Sequence, residues 1–404
     1  MSIPFIDLNT QYNRLKSRIK ANMDRVLGHG AYVMGPEIEM LERELAEYCE
    51  VEHAVACSSG TDALLLSLMS QDLRPGDAVL TTPFTFCATA EVIAMLQAVP
   101  VFVDIDPATF NLDPIQAEKA IQAIKAGDSS IHPLPKILDK EKESNPRSTP
   151  RIQASNLKGI ISVDLFGLPC DYQALTSLAR QHGLWLIADA AQSFGALDHG
   201  RSPCGMGDIA CTSFFPAKPL GCYGDGGMCF TRDADTAKLL RSLRVHGQGE
   251  NRYENVRVGL NARMDTMQAA ILLAKKEIFP EELSLRREVA QEYNRLLHQV
   301  PGITTPAVLE HKQSTWAQYS LLARDREHRQ SLLNALKEQD IPWAIYYPQP
   351  LHLQKVFTYL GHQEGDFPVS ENTAQRIFSL PMHPYLNGQD QARIAEVLQG
   401  SRAS

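Results

Sequence analysis

The sequence predicts an α/β protein: a mainly parallel central sheet flanked by helices, followed by a smaller C-terminal α+β domain. Three observations carry this expectation. Strand-like and helical patches alternate from about Met40 to Gly247. The strand patches are near-continuous apolar runs, as strands covered on both faces require. Beyond Gly247 the pattern changes to long amphipathic helices, short strands and a last helix near "DQARIAEVLQG". With 404 residues, the chain exceeds one compact core, so two domains are expected, 1–247 and 248–404.

Taken in order, "TDALLLSLMSQ" has helical periodicity, and "LRPGDAVLTTP" is a turn feeding a short strand. "TAEVIAMLQAV" is again helical, and "PVFVDID" a strand. "GIISVDLFG" is a strand, "CDYQALTSLARQHG" a helix closed by Gly183, and "LWLIADAA" an apolar strand ending in an acid. Lys125 to Lys158 break the rhythm, being polar, proline-bearing and of mixed charge. That insertion reads as a passive surface decoration, with a lid over the site as its alternative. "RMDTMQAAILLAKKEIFPEELSLRREVAQEYNRLLHQV" reads as long amphipathic helix.

Bulk properties narrow the function classes. A net charge of −8 offers no basic surplus for phosphate backbones, which argues against a nucleic-acid binder. The eight cysteines show no CxxC pair and no zinc spacing, so they read as reduced thiols of a cytoplasmic protein. The N-terminus lacks a signal-peptide pattern, and no apolar run reaches the length of a membrane span.

Three short stretches could carry chemistry. "CSSGTDALLLSL" opens a helix whose N–H groups and hydroxyls suit an anion, although Ser59 or Thr61 could be simple N-caps. In "LIADAAQSFGA", Asp189 follows an apolar strand at its carboxyl end, where open parallel sheets place ligands; a turn cap is the plainer reading. In "SFFPAKPLGCYGDGG", Lys218 stands among Phe214, Phe215, Pro216, Pro219 and Leu220. Such surroundings desolvate an ammonium and lower its pKa, as an amine nucleophile needs, whereas a surface lysine at a loop tip would need nothing. "DGG" could be no more than a hairpin turn, and the segment lacks the strand–GxGxxG–helix order of a dinucleotide site. Together, an anion-binding helix start, a strand-end aspartate and a later desolvated lysine suit one cofactor, pyridoxal 5'-phosphate, with its phosphate, its pyridine nitrogen and its aldehyde.

Seven segments in order, "FIDLNTQY", "SSGTDALLLSL", "TTPFTFCATAEVI", "DAAQSFGA", "TSFFPAKPLGCYGDGG", "GLNARMDTMQAAIL" and "SLPMHPYL", resemble the DegT/DnrJ/EryC1/StrS family of sugar aminotransferases. The resemblance implies the type I aspartate-aminotransferase fold and spans all but the insertion. It implies that Lys218 forms the Schiff base and moves protons, that Asp189 pairs with the pyridinium, and that Phe86 stacks on the ring. It further implies that Gln192 meets the ring hydroxyl, that Gly60, Thr61 and Ser213 contact the phosphate, and that Asn261 reaches it from the neighbouring subunit of a homodimer. Glutamate would be the amino donor and a nucleotide-linked ketosugar the acceptor.

Where family members often carry a histidine and a glutamine, this chain has Asp164 and Leu168, and Pro219 replaces the common asparagine after the lysine. Asp164 and Leu168 are expected to alter cofactor surroundings or substrate shape, whereas some family members also have proline at the place of Pro219. The segments look most like the branch aminating C3 of UDP-2-acetamido-2-deoxy-3-keto-hexuronate for surface polysaccharide. Arg263 would clamp the uronate, with a structural salt bridge as the alternative. Tyr346 stands where that branch has a histidine, and Tyr347 is kept, which leaves a neutral 3-keto or 4-keto deoxysugar as runner-up. A histidine in place of the lysine would mark a sugar dehydratase, and loss of the lysine or aspartate a non-catalytic regulatory protein; Lys218 and Asp189 speak against both.

Overall fold

The structure, a computed structural model, describes residues 3–136, 153–251 and 253–400. Two helices come first, α1 (Leu8–His29) and α2 (Pro36–Tyr48). The alternating region then runs β1 (His53–Cys57), α3 (Gly60–Ser70), β2 (Ala78–Thr81), α4 (Ala88–Met95), β3 (Val99–Phe102) and α5 (Pro114–Ala126). It continues with β4 (Leu157–Val163), α6 (Tyr172–His182), β5 (Trp185–Asp189), β6 (Leu197–Asp198), β7 (Ile209–Ser213) and β8 (Gly227–Thr231).

Seven of these strands form one sheet in the order β1-β8-β7-β5-β4-β2-β3. The pairings β2–β3, β2–β4, β4–β5 and β5–β7 are parallel, while β8 runs antiparallel to both β7 and β1. Every residue of β2, β3 and β8 is buried, which is why these strands read as unbroken apolar runs. Asp171 caps α6 by accepting from Ala174 N, and Gly183 ends it in the left-handed conformation at φ 63°. The alternating elements thus follow the sequence pattern closely.

The rest of the chain holds α7 (Ala234–Leu243), α8 (Thr266–Lys276), α9 (Phe279–Leu297), β9 (Ile303–Thr304), β10 (Lys312–Gln313), β11 (Tyr319–Ala323), α10 (Arg326–Glu338), α11 (Pro368–Arg376), β12 (Ile377–Leu380) and α12 (Gly388–Gly400). The helical stretch after Gly247 breaks between α8 and α9, where Pro280 sits in the first turn of the second helix. A small sheet of order β12-β11-β9 supports the C-terminal helices, while β10 pairs with β6 of the alternating region.

Two of the buried cores mark the division of the chain. One gathers residues from Ile38 to Leu283 around the large sheet, and the other joins Ile3 to residues from Val289 to Leu398. Met264, Ala269, Leu272 and Phe279 belong to the first core. The change of core therefore falls within α9, later than the division expected at residue 247. The expected insertion also narrows: α5 runs through Ala126 to Gly127 at φ 64°, and β4 begins at Leu157. Residues 137–152, on which the choice between decoration and lid turns, lie outside the described residues. No helix among the described residues is long and apolar enough to cross a membrane. All eight cysteines are free, and seven are buried.

Candidate active site

The strand carboxyl ends converge on one place. Asp189 is the last residue of β5, Ser213 the last of β7, and Phe86 lies between β2 and α4. The segment joining β7 to β8 spans residues 214–226, since Ser213 pairs with Gly227. "DGG" therefore feeds a strand and is no tight hairpin. Phe214 and Leu220 are buried on either side of Lys218 and anchor the excursion in the first core. Lys218 N donates to Phe215 O at 2.8 Å, and the residue lines a cleft with Asp7, Gln11, Glu282, Arg286 and Tyr385.

Lys218 and Asp189 perturb each other's titration. Burial pushes the Lys218 ammonium down from its usual range, and attraction to Asp189 partly offsets this. Burial pushes the Asp189 carboxyl up, against the hydrogen bond from Thr89, the Ala191 N–H and the Lys218 charge. Asp189 is only 6% exposed and accepts from Thr89 Oγ1 at 2.9 Å and Ala191 N at 3.2 Å. A buried carboxylate with two donors has acceptor capacity left for a cationic N–H.

The start of α3 forms an anion cradle. Ser59 is the N-cap and accepts from Asp62 N at 3.0 Å, so the plainer reading of that residue holds. The N–H groups of Gly60 and Thr61, at the helix start, have no acceptor within the helix. Gly60 packs so closely on β7 that a Cβ there would lie 2.7 Å from Ser213 Cβ. At Gly227 a Cβ would lie 2.2 Å from Ser59 O. Both glycines let the helix start and the β7–β8 pair approach, and no other residue fits.

Phe86 is 62% exposed, an apolar ring awaiting a cover. Gln192 is buried; its Oε1 accepts from Phe166 N at 2.9 Å, and its Nε2 donates to Tyr347 Oη at 3.1 Å. One N–H of that amide remains to meet a ligand oxygen. Tyr347, at φ 58°, stacks on Phe166 and meets Phe84 edge-on, while Tyr346 packs on Phe166 from another side. The two tyrosines are thus tied to the Gln192 wall of the site.

Asn261 and Arg263 stand apart. Arg263 Nε and Nη2 both donate to Asn261 Oδ1, at 3.0 and 2.7 Å. Ala262 O between them accepts from Ser58 N at 3.1 Å, beside the α3 start. No hydrogen bond or ion pair among the described residues links Asn261 or Arg263 to Lys218, Asp189, Gln192 or Tyr347.

Asp164 differs from the role expected of it. It is wholly buried and accepts from Cys170 N at 2.8 Å, Tyr172 Oη at 2.9 Å and Ser193 Oγ at 2.6 Å. Burial nevertheless pushes it up to about 6. Its carboxylate is thus held by the loop after β4, the start of α6 and Ser193, the neighbour of Gln192.

Two residues escaped the sequence reading. Thr89, buried in the first turn of α4, holds Asp189 and also meets Thr85 Oγ1 at 3.3 Å. Lys275 is another buried lysine besides Lys312, 4.2 Å from the Tyr223 ring centroid, and burial pushes it down to about 8. Lys275 reads as one of two basic residues, with Lys276, in the last turn of α8, and nothing in the sequence marked it or Thr89.

The model of the DegT/DnrJ/EryC1/StrS aminotransferase family matches residues 13–399. The chain belongs to this family. It is 44% identical over 385 residues to the UDP-2-acetamido-2-deoxy-3-oxo-D-glucuronate aminotransferase of Pseudomonas aeruginosa, covering 95% of this chain and 96% of that protein. Among solved structures, it matches a DegT DnrJ EryC1 StrS aminotransferase from Brucella abortus with a TM-score of 0.88 and 43% identity, over 98% of this chain and 99% of that one. It also matches S. venezuelae DesV in complex with a ketimine intermediate, with a TM-score of 0.87 and 33% identity, over 99% and 98%. As a family member, this chain is an aminotransferase with the α/β architecture described above.

Proposed function

We propose that this protein is a pyridoxal 5'-phosphate-dependent aminotransferase that moves an amino group from glutamate to C3 of a UDP-linked 2-acetamido-2-deoxy-3-keto-hexuronate, in the cytoplasm, for surface polysaccharide. The observation that carries the reading is the mutually perturbed pair Lys218 and Asp189, set at strand ends beside the Gly60–Ser213 cradle. The donor set fits the cofactor: free helix N–H groups for its phosphate, acceptor capacity on Asp189 for its ring nitrogen, and exposed Phe86 for its face. When bound, pyridoxal phosphate supplies an aldehyde that condenses with amines and a ring that takes up the electron pair of a deprotonated carbon.

Each residue then has a role set by its surroundings. Desolvation lowers the Lys218 amine's pKa and so favours the neutral, nucleophilic form that attachment to an aldehyde would require. With the cofactor bound, Lys218 Nζ would be the base that takes the proton from the donor's α-carbon and the acid that later delivers one to C3 of the sugar. Asp189 would accept the ring N–H and hold that nitrogen protonated, with Thr89 orienting the carboxylate. Gly60, Thr61 and Ser213 bind the phosphate, and Gln192 meets the ring hydroxyl.

The substrate side completes across a homodimer in this reading, with Asn261 reaching the phosphate from the second copy. Asn261 is exposed on a segment whose Ala262 and Met264 are buried, and in the exposed run 253–258 just before it Val256 and Val258 are 52% and 85% exposed. Tyr32, Val33 and Met34 add further exposed apolar surface, and Val33 bridges Asp265. A patch of that kind is what a second subunit covers. Arg263 would clamp the uronate, while Tyr346 and Tyr347 line the sugar pocket.

The test is absorption spectroscopy of the loaded protein during addition of glutamate, then of UDP-linked ketosugars. The reading predicts a cofactor band bleached by glutamate and restored by the 3-keto-uronate more effectively than by a neutral 3-keto or 4-keto sugar. Restoration by the neutral sugars alone would overturn the uronate assignment.

A further inference from the structure

Away from this site, two histidines and an aspartate meet where the alternating region touches the segment before β11. Asp198 ends β6, His199 follows it, and His311 precedes β10. The backbone fixes the meeting: Asp198 pairs with Lys312, and His199 N donates to His311 O at 2.9 Å. The Asp198 side chain is only 5% exposed, whereas those of His199 and His311 are 55% and 40% exposed.

Both rings converge on one oxygen. Asp198 Oδ1 lies 2.9 Å from His199 Nδ1 and 3.7 Å from His311 Nε2. The rings stack with centroids 4.1 Å apart, and the three ligand atoms lie within 4.8 Å of one another. A hydrogen-bonded Asp198–His199 pair would account for one ring only. At 3.7 Å the His311 nitrogen makes no hydrogen bond to that carboxylate, yet it faces it. His199 moreover holds φ at 49°, a conformation a non-glycine residue adopts at some cost. Lys312, which pairs with Asp198 through the backbone, turns its ammonium away: Lys312 Nζ donates to Pro169 O at 2.9 Å and Cys170 O at 2.8 Å.

We propose that Asp198, His199 and His311 form a binding site for a divalent zinc-type ion, which clips the β6 turn to the segment that carries β10. Two imidazoles and one carboxylate are ligands of late first-row ions and not of magnesium or calcium, which prefer oxygen. Ligand bonds of about 2.0–2.2 Å in a tetrahedral site separate ligand atoms by roughly 3.4 Å. Small rotations of two exposed rings meet that requirement. The solvent-facing side leaves the fourth position to water. Ligands from segments more than a hundred residues apart in sequence would become one cross-link, so the ion binds the folded chain and not the unfolded one.

The experiment uses the chelator-washed, cofactor-loaded protein, with Zn2+, Co2+ and Mg2+ as separate probes in calorimetry and thermal unfolding. One equivalent of Zn2+ per chain should bind and raise the melting temperature, and Mg2+ should do neither. His199→Gln and His311→Gln, both at exposed positions, should each weaken Zn2+ binding by at least about tenfold, since even groups that only orient a ligand are worth about 10- to 100-fold. Co2+ should give ligand-field bands without thiolate charge transfer. Equal binding in the histidine variants, no binding by the wild type, or a thiolate signature placing the ion on cysteines would each overturn the proposal.

Discussion

Replacing Thr89 by valine tests how Asp189 is held. Thr89 Oγ1 donates to Asp189 Oδ2 at 2.9 Å, with Thr89 wholly buried and Asp189 6% exposed. Valine keeps the shape and removes the hydroxyl. A hydrogen bond to a charged group contributes about 1.5–3 kcal/mol. At about 1.4 kcal/mol per tenfold, pyridoxal phosphate should bind roughly 10- to 150-fold more weakly. The sign of the pH effect also follows. Burial already raises the Asp189 carboxyl, and the Thr89 bond opposes that rise. Without the bond the carboxyl titrates higher, so more of it is protonated as pH falls, and it holds a protonated ring nitrogen less well. Titration of the apoprotein with cofactor, followed by absorbance at mildly acidic and mildly basic pH, reads both effects. Affinity unchanged at both pH values, in a variant that unfolds like the wild type, would refute the reasoning.

Three further outcomes follow from the same geometry. Gly60→Ala places a Cβ 2.7 Å from Ser213 Cβ, so α3 must shift from β7; equilibrium dialysis should show weakened binding of cofactor, and unaltered binding would contradict the cradle. Asp164 is pushed up to about 6 from 3.8, so the folded chain holds the extra proton, and stability should fall by about 3 kcal/mol as pH rises through that window. Asp164→Asn should flatten that slope in urea unfolding, and an identical slope would reject the assignment. Arg263→Ala should raise KM for the uronate by about tenfold or more while sparing a neutral ketosugar; equal effects on both would leave Arg263 a structural group.

What the sequence made legible, and what it hid, divides by distance along the chain. The order of strands and helices, Asp189 at the end of β5 and Lys218 between buried Phe214 and Leu220 were readable, because local periodicity and flanking apolar residues encode them. The break between α8 and α9 was hidden because the amphipathic pattern continues across it. The tie of Gln192 to Tyr347 spans 155 positions, and no local signal specifies such a contact. Thr89 reads as an ordinary helix-start residue until β5 brings Asp189 beside it. Asp164 stands at a family site position, but Cys170 N, Tyr172 Oη at the start of α6 and Ser193 Oγ after β5 supply three donors that hold it.

The most direct measurement is borohydride reduction of the loaded protein, followed by peptide mass mapping. The rival amine is Lys275, buried, without a hydrogen-bond partner among the described residues and pushed down to about 8. The account predicts the cofactor's mass on the peptide containing Lys218 and its disappearance in Lys218→Ala. A label on Lys275, or no label on any lysine, would contradict it.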